Sequence, residues 1–295
     1  MMSSETLDPE TVRAARLSGR RRALYDLVRA ERRALEDAAA VDVLRTGAGA
    51  PVVLVNPLSG QLFAYTHLVS HLTTERPVLA LPADVVLGRG EGLTFQQLAA
   101  RYVDRLRLAG TRPAVLAGWS IGGVLAYEIG YQLSAHGTPC PVLLIDSAVT
   151  PPEHLGAVRP AAMLVREFVE NFAISAGLAV PAVADWSEPW PVLSGLAEAG
   201  GAGLSPDDLL GRYRTHVDAI AALDDYAPSP AVMPVHVVRA SRTSAAIAAR
   251  WAGLVAGELP LRTVDTDHHG LLHAPAVAEV AEDLDRLADS AQEDR

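Results

Sequence analysis

Three side chains, spread over 150 or so positions of the chain, have the types that acyl transfer requires: Ser120, Asp146 and His268. A serine hydroxyl at neutral pH is a poor nucleophile. It needs a base within hydrogen-bond reach, and the base needs a carboxylate to hold its tautomer and orientation. Ser120 stands in Gly118-Trp119-Ser120-Ile121-Gly122, after the apolar run 114–117 and before a helical stretch from Gly123 to Tyr131. A G-x-S-x-G pattern on strand, turn and helix is that of a nucleophile elbow. Small residues are required two positions either side of the serine, because a Cβ at Gly118 or Gly122 would strike the neighbouring strand or helix. The serine's strained backbone then pushes its hydroxyl out above the sheet. A glycine-rich turn before a packed helix has the same pentapeptide, so the acid and the histidine decide between the two.

Asp146 directly follows the buried run 142–145, which puts it on the same sheet edge as Ser120. His268 lies in the loop after the run 261–264, again on that edge. The chain order Ser, Asp, His is that of α/β-hydrolases. His268 has a neighbour, His269; adjacent residues of an extended loop point in opposite directions, so only one faces Ser120, and His268 is favoured with His269 as a lid contact. His67, His71, His136, His154, His216, His236 and His273 read as surface or packing residues. Asp224 and Asp225 read as charges at a helix end, with an acid there a rival to Asp146. The oxyanion would be held by the backbone N–H groups of Ile121, next to the serine, and of Leu58, in the loop Asn56-Pro57-Leu58-Ser59-Gly60.

These residues need a scaffold, and the chain supplies strands alternating with helices: strands near 51–55, 77–81, 114–117, 142–145, 235–238 and 261–264, and helices at 61–72, 94–108 (capped by Thr94) and 274–288. This rhythm predicts an α/β fold whose mostly parallel sheet is covered by helices on both faces. It breaks off over about 151–225, a helical insertion that reads as a lid. Residues 1–45, with a charged amphipathic stretch at 8–40, read as an N-terminal helical extension or linker before a domain at 46–295.

Composition bounds the rest. The chain has 295 residues, 49% of them hydrophobic and 20% charged, with a net charge of −10 and only 5% aromatics. That balance predicts a globular core and argues against binding nucleic acid, which needs positive patches. No Cys/His spacing for a metal appears. Cys140 is the single cysteine, between prolines at the start of a strand, and reads as a structural thiol. The N-terminal stretch lacks an apolar signal segment and no run is long enough to span a membrane. A cytoplasmic protein is the expectation.

VLVNPLSGQLFAYTHLVSHL, LAGWSIGGVLAYEIGYQLSAHG, VLLIDSAV and DHHGLL together resemble the thioesterase domains of nonribosomal peptide and polyketide synthetases, members of the α/β-hydrolase superfamily. The resemblance runs from about residue 51 to 288. It implies Ser120 as the acylated residue, Asp146 as the acid and His268 at the family's G-x-H-x-x-L-L position, below a helical lid. It further implies no bound cofactor, and a substrate delivered as a thioester on the phosphopantetheine of an acyl or peptidyl carrier protein, then released by water or by an internal or external nucleophile. The chain departs from the pattern at Asn56, where His or Pro is common, at Thr266, where Gly is common, and in its first 45 residues. Two other readings accompany this one: a thioesterase that proofreads or shuttles acyl groups in trans, and a non-catalytic α/β-hydrolase-fold binding module, which would predict a broken triad.

Overall fold

The computed structural model describes residues 41–57, 62–81, 92–183, 185–200 and 203–291. The helix expected over 8–40 lies outside them. The elements, in chain order, are β1 (Asp42–Arg45), β2 (Val52–Val55), a 3₁₀ turn (Leu62–Tyr65) running into α1 (Thr66–His71), β3 (Val78–Leu81) and α2 (Phe95–Leu108). Then come β4 (Val115–Trp119), α3 (Ile121–Ala135), β5 (Val142–Ile145), α4 (Ala161–Ser175), α5 (Pro189–Glu198) and α6 (Pro206–Asp224). The chain closes with β6 (Val235–Ala240), α7 (Ala246–Ala252), β7 (Leu261–Val264) and α8 (Val277–Ser290).

The strands form one sheet in the order β1-β3-β2-β4-β5-β6-β7. All neighbours are parallel except β1, which runs antiparallel to β3. Every residue of β2, β4 and β5 is buried, as expected of strands covered on both faces. Successive side chains of a strand point to opposite faces, and the sheet sorts them accordingly. Val53, Val55, Leu116, Val142 and Leu144 pack with α2 and α3. Val52, Leu54, Val115, Leu143 and Ile145 pack with α1 and α8 on the other side. Thr94 caps α2 as expected: its hydroxyl accepts from the Gln97 N–H at 3.2 Å, and Gln97 reaches back to the Thr94 N–H at 3.0 Å.

The sequence reading ends an extension at residue 45, whereas the sheet already takes in residues 42–45. This edge strand has no apolar run to announce it; it begins and ends in charge, as exposed sheet edges do. It is fastened instead by Arg45, whose guanidinium donates to the Leu72 and Thr74 carbonyls at 2.9 and 2.6 Å.

The insertion between β5 and β6 is helical, as expected. Helices α4, α5 and α6 enclose a small core of their own, with Phe168, Phe172, Leu193, Leu196 and Leu209 fully buried. The last turns of α6 leave that core: Ala219, Ile220 and Leu223 pack into the main one. The insertion is thus a separately cored layer tied to the sheet domain mainly by the end of α6, with Leu164 of α4 against the same core, above the carboxyl ends of the strands.

Candidate active site

Ser120 sits between β4 and α3 with φ 57° and ψ −131°. Asp146, just past β5, has φ 48°, and these are the only two non-glycine residues with positive φ among the described residues. Both stand at carboxyl ends of adjacent parallel strands, where the chain must turn abruptly. Such conformations cost free energy and persist where the surroundings over-determine them. Here the determinants are close backbone contacts. A Cβ on Gly118 would strike the Gly122 carbonyl, and one on Gly122 would lie 2.6 Å from the Val55 carbonyl oxygen. Gly123, not singled out from the sequence, is as tightly placed: a Cβ there would strike the Ser147 hydroxyl and approach the Gly118 carbonyl oxygen to 2.6 Å. The Ser120 N–H donates to the Ile145 carbonyl at 2.9 Å, continuing the β4–β5 ladder into the turn.

Asp146 and His268 meet. His268 Nδ1 lies 2.7 Å from Asp146 Oδ2. The other carboxylate oxygen accepts from the Ala240 N–H at 3.1 Å and the Thr243 hydroxyl at 2.7 Å. Burial, the largest single influence, pushes the Asp146 carboxyl up, but the bonds from His268, Thr243 and the Ala240 N–H and the His268 charge outweigh it and hold the carboxyl below its ordinary range. An ionised Asp146 accepts and never donates, so Nδ1 carries the proton and the free Nε2 of a neutral ring is an acceptor.

Trp119 holds the histidine loop. Its indole stacks on the His268 ring, centroids 4.6 Å apart and planes 28° apart, and its Nε1–H donates to the His268 carbonyl at 3.0 Å. The Trp119 N–H in turn donates to Tyr65 Oη at 2.9 Å, and Tyr65 donates to the Val55 carbonyl at 2.7 Å. His269 sits in a turn rather than an extended loop and packs edge-on against both Trp119 and His268. Burial, and then the adjacent His268, push its imidazole down to about 4.

Ser120, Ile121, Asp146, Thr243 and His268 line one cavity of about 260 Å³. Ile121 is the first residue of α3, so its N–H belongs to the set that a helix leaves unpaired at its positive end. Leu58 lies outside the described residues; Pro57, beside it, lines the cavity. Asn56 is buried and its Oδ1 has no hydrogen-bond partner among the described residues.

The side of the cavity that the insertion forms is polar, which the sequence did not announce. Arg159 grips Asp224 in a fork, Nε to Oδ2 at 2.8 Å and Nη2 to Oδ1 at 2.7 Å, and reaches Glu167 with Nη1 at 3.4 Å. Asp224 also accepts from the Thr150 hydroxyl at 3.2 Å. The rival acid is therefore committed to Arg159, and the carboxylate bonded to His268 is Asp146. Burial lifts the Glu167 carboxyl above its ordinary range, against the pull of Arg159. His216, read from the sequence as a surface or packing residue, lies in the wall of this same cavity. A lone histidine inside an amphipathic helix carries no signal that would single it out. Neither does Thr243, in a loop 97 positions from the acid it bonds. Among the described residues no group of three or more His, Cys, Asp or Glu is placed to hold a metal, and no helix is long and apolar enough to cross a membrane.

Residues 50–287 match the family model of the thioesterase domain. Over 129 residues, 41% of this chain, the sequence is 30% identical to a dimodular nonribosomal peptide synthase of Bacillus subtilis (strain 168), and that stretch spans only 5% of the synthase. A four-domain nonribosomal peptide synthetase of known structure superposes on 84% of this chain at a TM-score of 0.73 and 25% identity, using 20% of its own length. The Vlm2 thioesterase domain superposes on 84% of this chain and 97% of itself, at a TM-score of 0.62 and 24% identity. The fold is thus that of the thioesterase domains of nonribosomal peptide synthetases.

Proposed function

Since the chain belongs to the thioesterase-domain family, we propose that it takes an acyl or peptidyl chain from the phosphopantetheine thioester of a carrier protein onto Ser120 and then releases it. The observation that carries this reading is the 2.7 Å bond between Asp146 and His268 on a cavity that Ser120 also lines. The family alone would suggest thioester chemistry; this arrangement suggests the mechanism.

In the first half, Ser120 Oγ attacks the thioester carbonyl carbon while His268 Nε2 takes the hydroxyl proton. Asp146 holds the ring with Nδ1–H toward itself and stabilises the imidazolium. The carbonyl oxygen becomes an oxyanion, for which the N–H groups of Ile121 and Leu58 are the proposed donors. Collapse breaks the C–S bond, and the proton on Nε2 goes to the departing thiolate. In the second half, water or a hydroxyl or amine attacks the Ser120 ester, His268 takes its proton, and Ser120 leaves with that proton returned. Water yields a free acid; a nucleophile within the chain yields a ring. Trp119, stacked on His268 and bonded to its carbonyl, keeps the base from swinging out of register.

Intact mass after addition of a fluorophosphonate, and after addition of an acyl-loaded carrier protein, tests this, with Ser120→Ala as control. An adduct on the native chain that is absent from the variant is expected. A folded native chain that takes up neither reagent would overturn the serine mechanism and favour a binding module.

A further inference from the structure

His216, on α6, is 4% exposed, and neither of its ring nitrogens has a hydrogen-bond partner among the described residues. Buried polar groups are nearly always paired, because an unpaired one forfeits its hydration without return. Leucine would fill this position without that cost. The ring instead lies beside Phe168 of the lid, centroids 5.7 Å apart, and in the wall of the cavity that Ser120 lines. Burial, and then the positive charge of Arg159, push its pKa down to about 4, so at neutral pH the imidazole is uncharged. A neutral imidazole has one donor and one acceptor nitrogen, and both are idle.

The neighbouring groups do not supply the missing partner. Arg159 spends three of its nitrogens on Asp224 and Glu167; its charge opposes a second cation near His216, and the carboxylates it holds, Glu167 among them in the same cavity wall, oppose an anion. A ligand group that satisfies His216 is therefore neutral. An amide suits either nitrogen, its carbonyl accepting from the N–H and its N–H donating to the other. Both nitrogens are buried as the ring stands, but the torsion that turns the ring plane is soft, so presenting one to a ligand in the cavity calls for a turn of the ring and not for movement of the helix.

Resting on the thioesterase reading of the same cavity, we propose that His216 forms a subsite that recognises an amide in the acyl chain, selecting amide-bearing chains over plain aliphatic ones.

The test uses three pantetheine thioesters of equal length: octanoyl, N-pentanoylglycyl and N-butanoyl-β-alanyl, the last two carrying an amide at successive depths. Wild-type, His216→Leu and His216→Asn proteins are compared by kcat/KM. Binding of the matching analogues, with the thioester sulfur replaced by NH, is measured on Ser120→Ala with and without the His216 substitutions. At least one amide probe is expected to be preferred over octanoyl by about tenfold or more in the wild type. His216→Leu should lower kcat/KM for the preferred amide probe more than for octanoyl, by enough to abolish that preference, and His216→Asn should restore part of it. Equal treatment of amide and octanoyl probes by the wild type, or an equal loss on all three in His216→Leu, would overturn the subsite. Because the binding arm needs no acylation, its preference survives if the serine mechanism fails, and fluorophosphonate labelling of the His216 variants reports that mechanism separately.

Discussion

Replacing Asp146 by Asn is the sharpest perturbation of the proposed mechanism, because the hydrogen bonds around this side chain leave it one arrangement. Oδ1 accepts from the Ala240 N–H and the Thr243 hydroxyl, and Oδ2 faces His268 Nδ1. In the Asp146→Asn variant the side-chain carbonyl oxygen must face the Ala240 N–H, since an NH₂ there would put two donors face to face at about 3 Å. The NH₂ then points at His268 Nδ1, which must become an acceptor, and the ring proton moves to Nε2. The base is lost while the fold is kept: position 146 has φ 48°, a region Asn tolerates better than other side chains. A wrong tautomer of this kind costs on the order of 10⁴ in kcat, or about 5.5 kcal/mol of transition-state stabilisation. The assay is steady-state hydrolysis of an acyl-pantetheine thioester together with the rate of fluorophosphonate labelling, both against wild type and both with thermal unfolding as the control for folding. A fall of roughly three to five orders in both rates at nearly unchanged melting temperature is expected. A folded variant within tenfold of wild type would refute the tautomer argument and with it the role given to the Asp146–His268 bond.

Three further outcomes are expected. Trp119→Phe keeps a ring over His268 but deletes the Nε1–H bond to its carbonyl; a loss of about 1 kcal/mol, some fivefold in labelling rate, should follow, and an unchanged rate would show that the stack alone holds the loop. Gly123→Ala drives a methyl into the Ser147 hydroxyl and the Gly118 carbonyl, so it should cost at least about 1–3 kcal/mol, read as a lower urea midpoint with the slope retained. Acid should destabilise the fold through His216. Its folded pKa, about 4, lies below the ordinary 6.5, so the unfolded chain binds the proton first and stability present above pH 6.5 drains away as pH falls toward 4, by on the order of 3 kcal/mol. Urea unfolding between pH 7.5 and 4 checks this: His216→Leu should make the profile shallower, His269 keeping its own share of the slope, and an identical slope in both proteins would remove His216 as a cause.

The fold was legible where a local pattern has a single physical solution. The apolar run 114–117 followed by Gly-x-Ser-x-Gly leaves little but a buried strand turning sharply into a helix, and the structure extends that strand to Trp119 and starts the helix at Ile121. Strand β1 was not legible, because an edge strand of four residues with two of them exposed has no hydrophobic periodicity to read. Helix α7, seven residues long, was passed over for the same reason of brevity. His269 was expected in an extended loop and occupies a turn, since Asp267 Oδ1 accepts the Gly270 N–H at 2.8 Å and folds the segment back.

What the sequence determined by itself is the kind of scaffold and the order of Ser120, Asp146 and His268 along it. Both follow from interactions within a few residues: periodicity makes the strands and helices, and parallel strands deliver their following residues to one edge. Only the tertiary structure decided which partners those side chains meet. That Asp146 bonds His268, that Asp224 is held by Arg159 instead, and that Thr243 completes the Asp146 carboxylate depend on contacts between residues 65 to 122 positions apart. His216, in the cavity wall beside Phe168 of a different helix of the insertion, has no hydrogen-bond partner among the described residues. A side chain's type says which bonds it can make; the packing of distant elements selects which of them it does make.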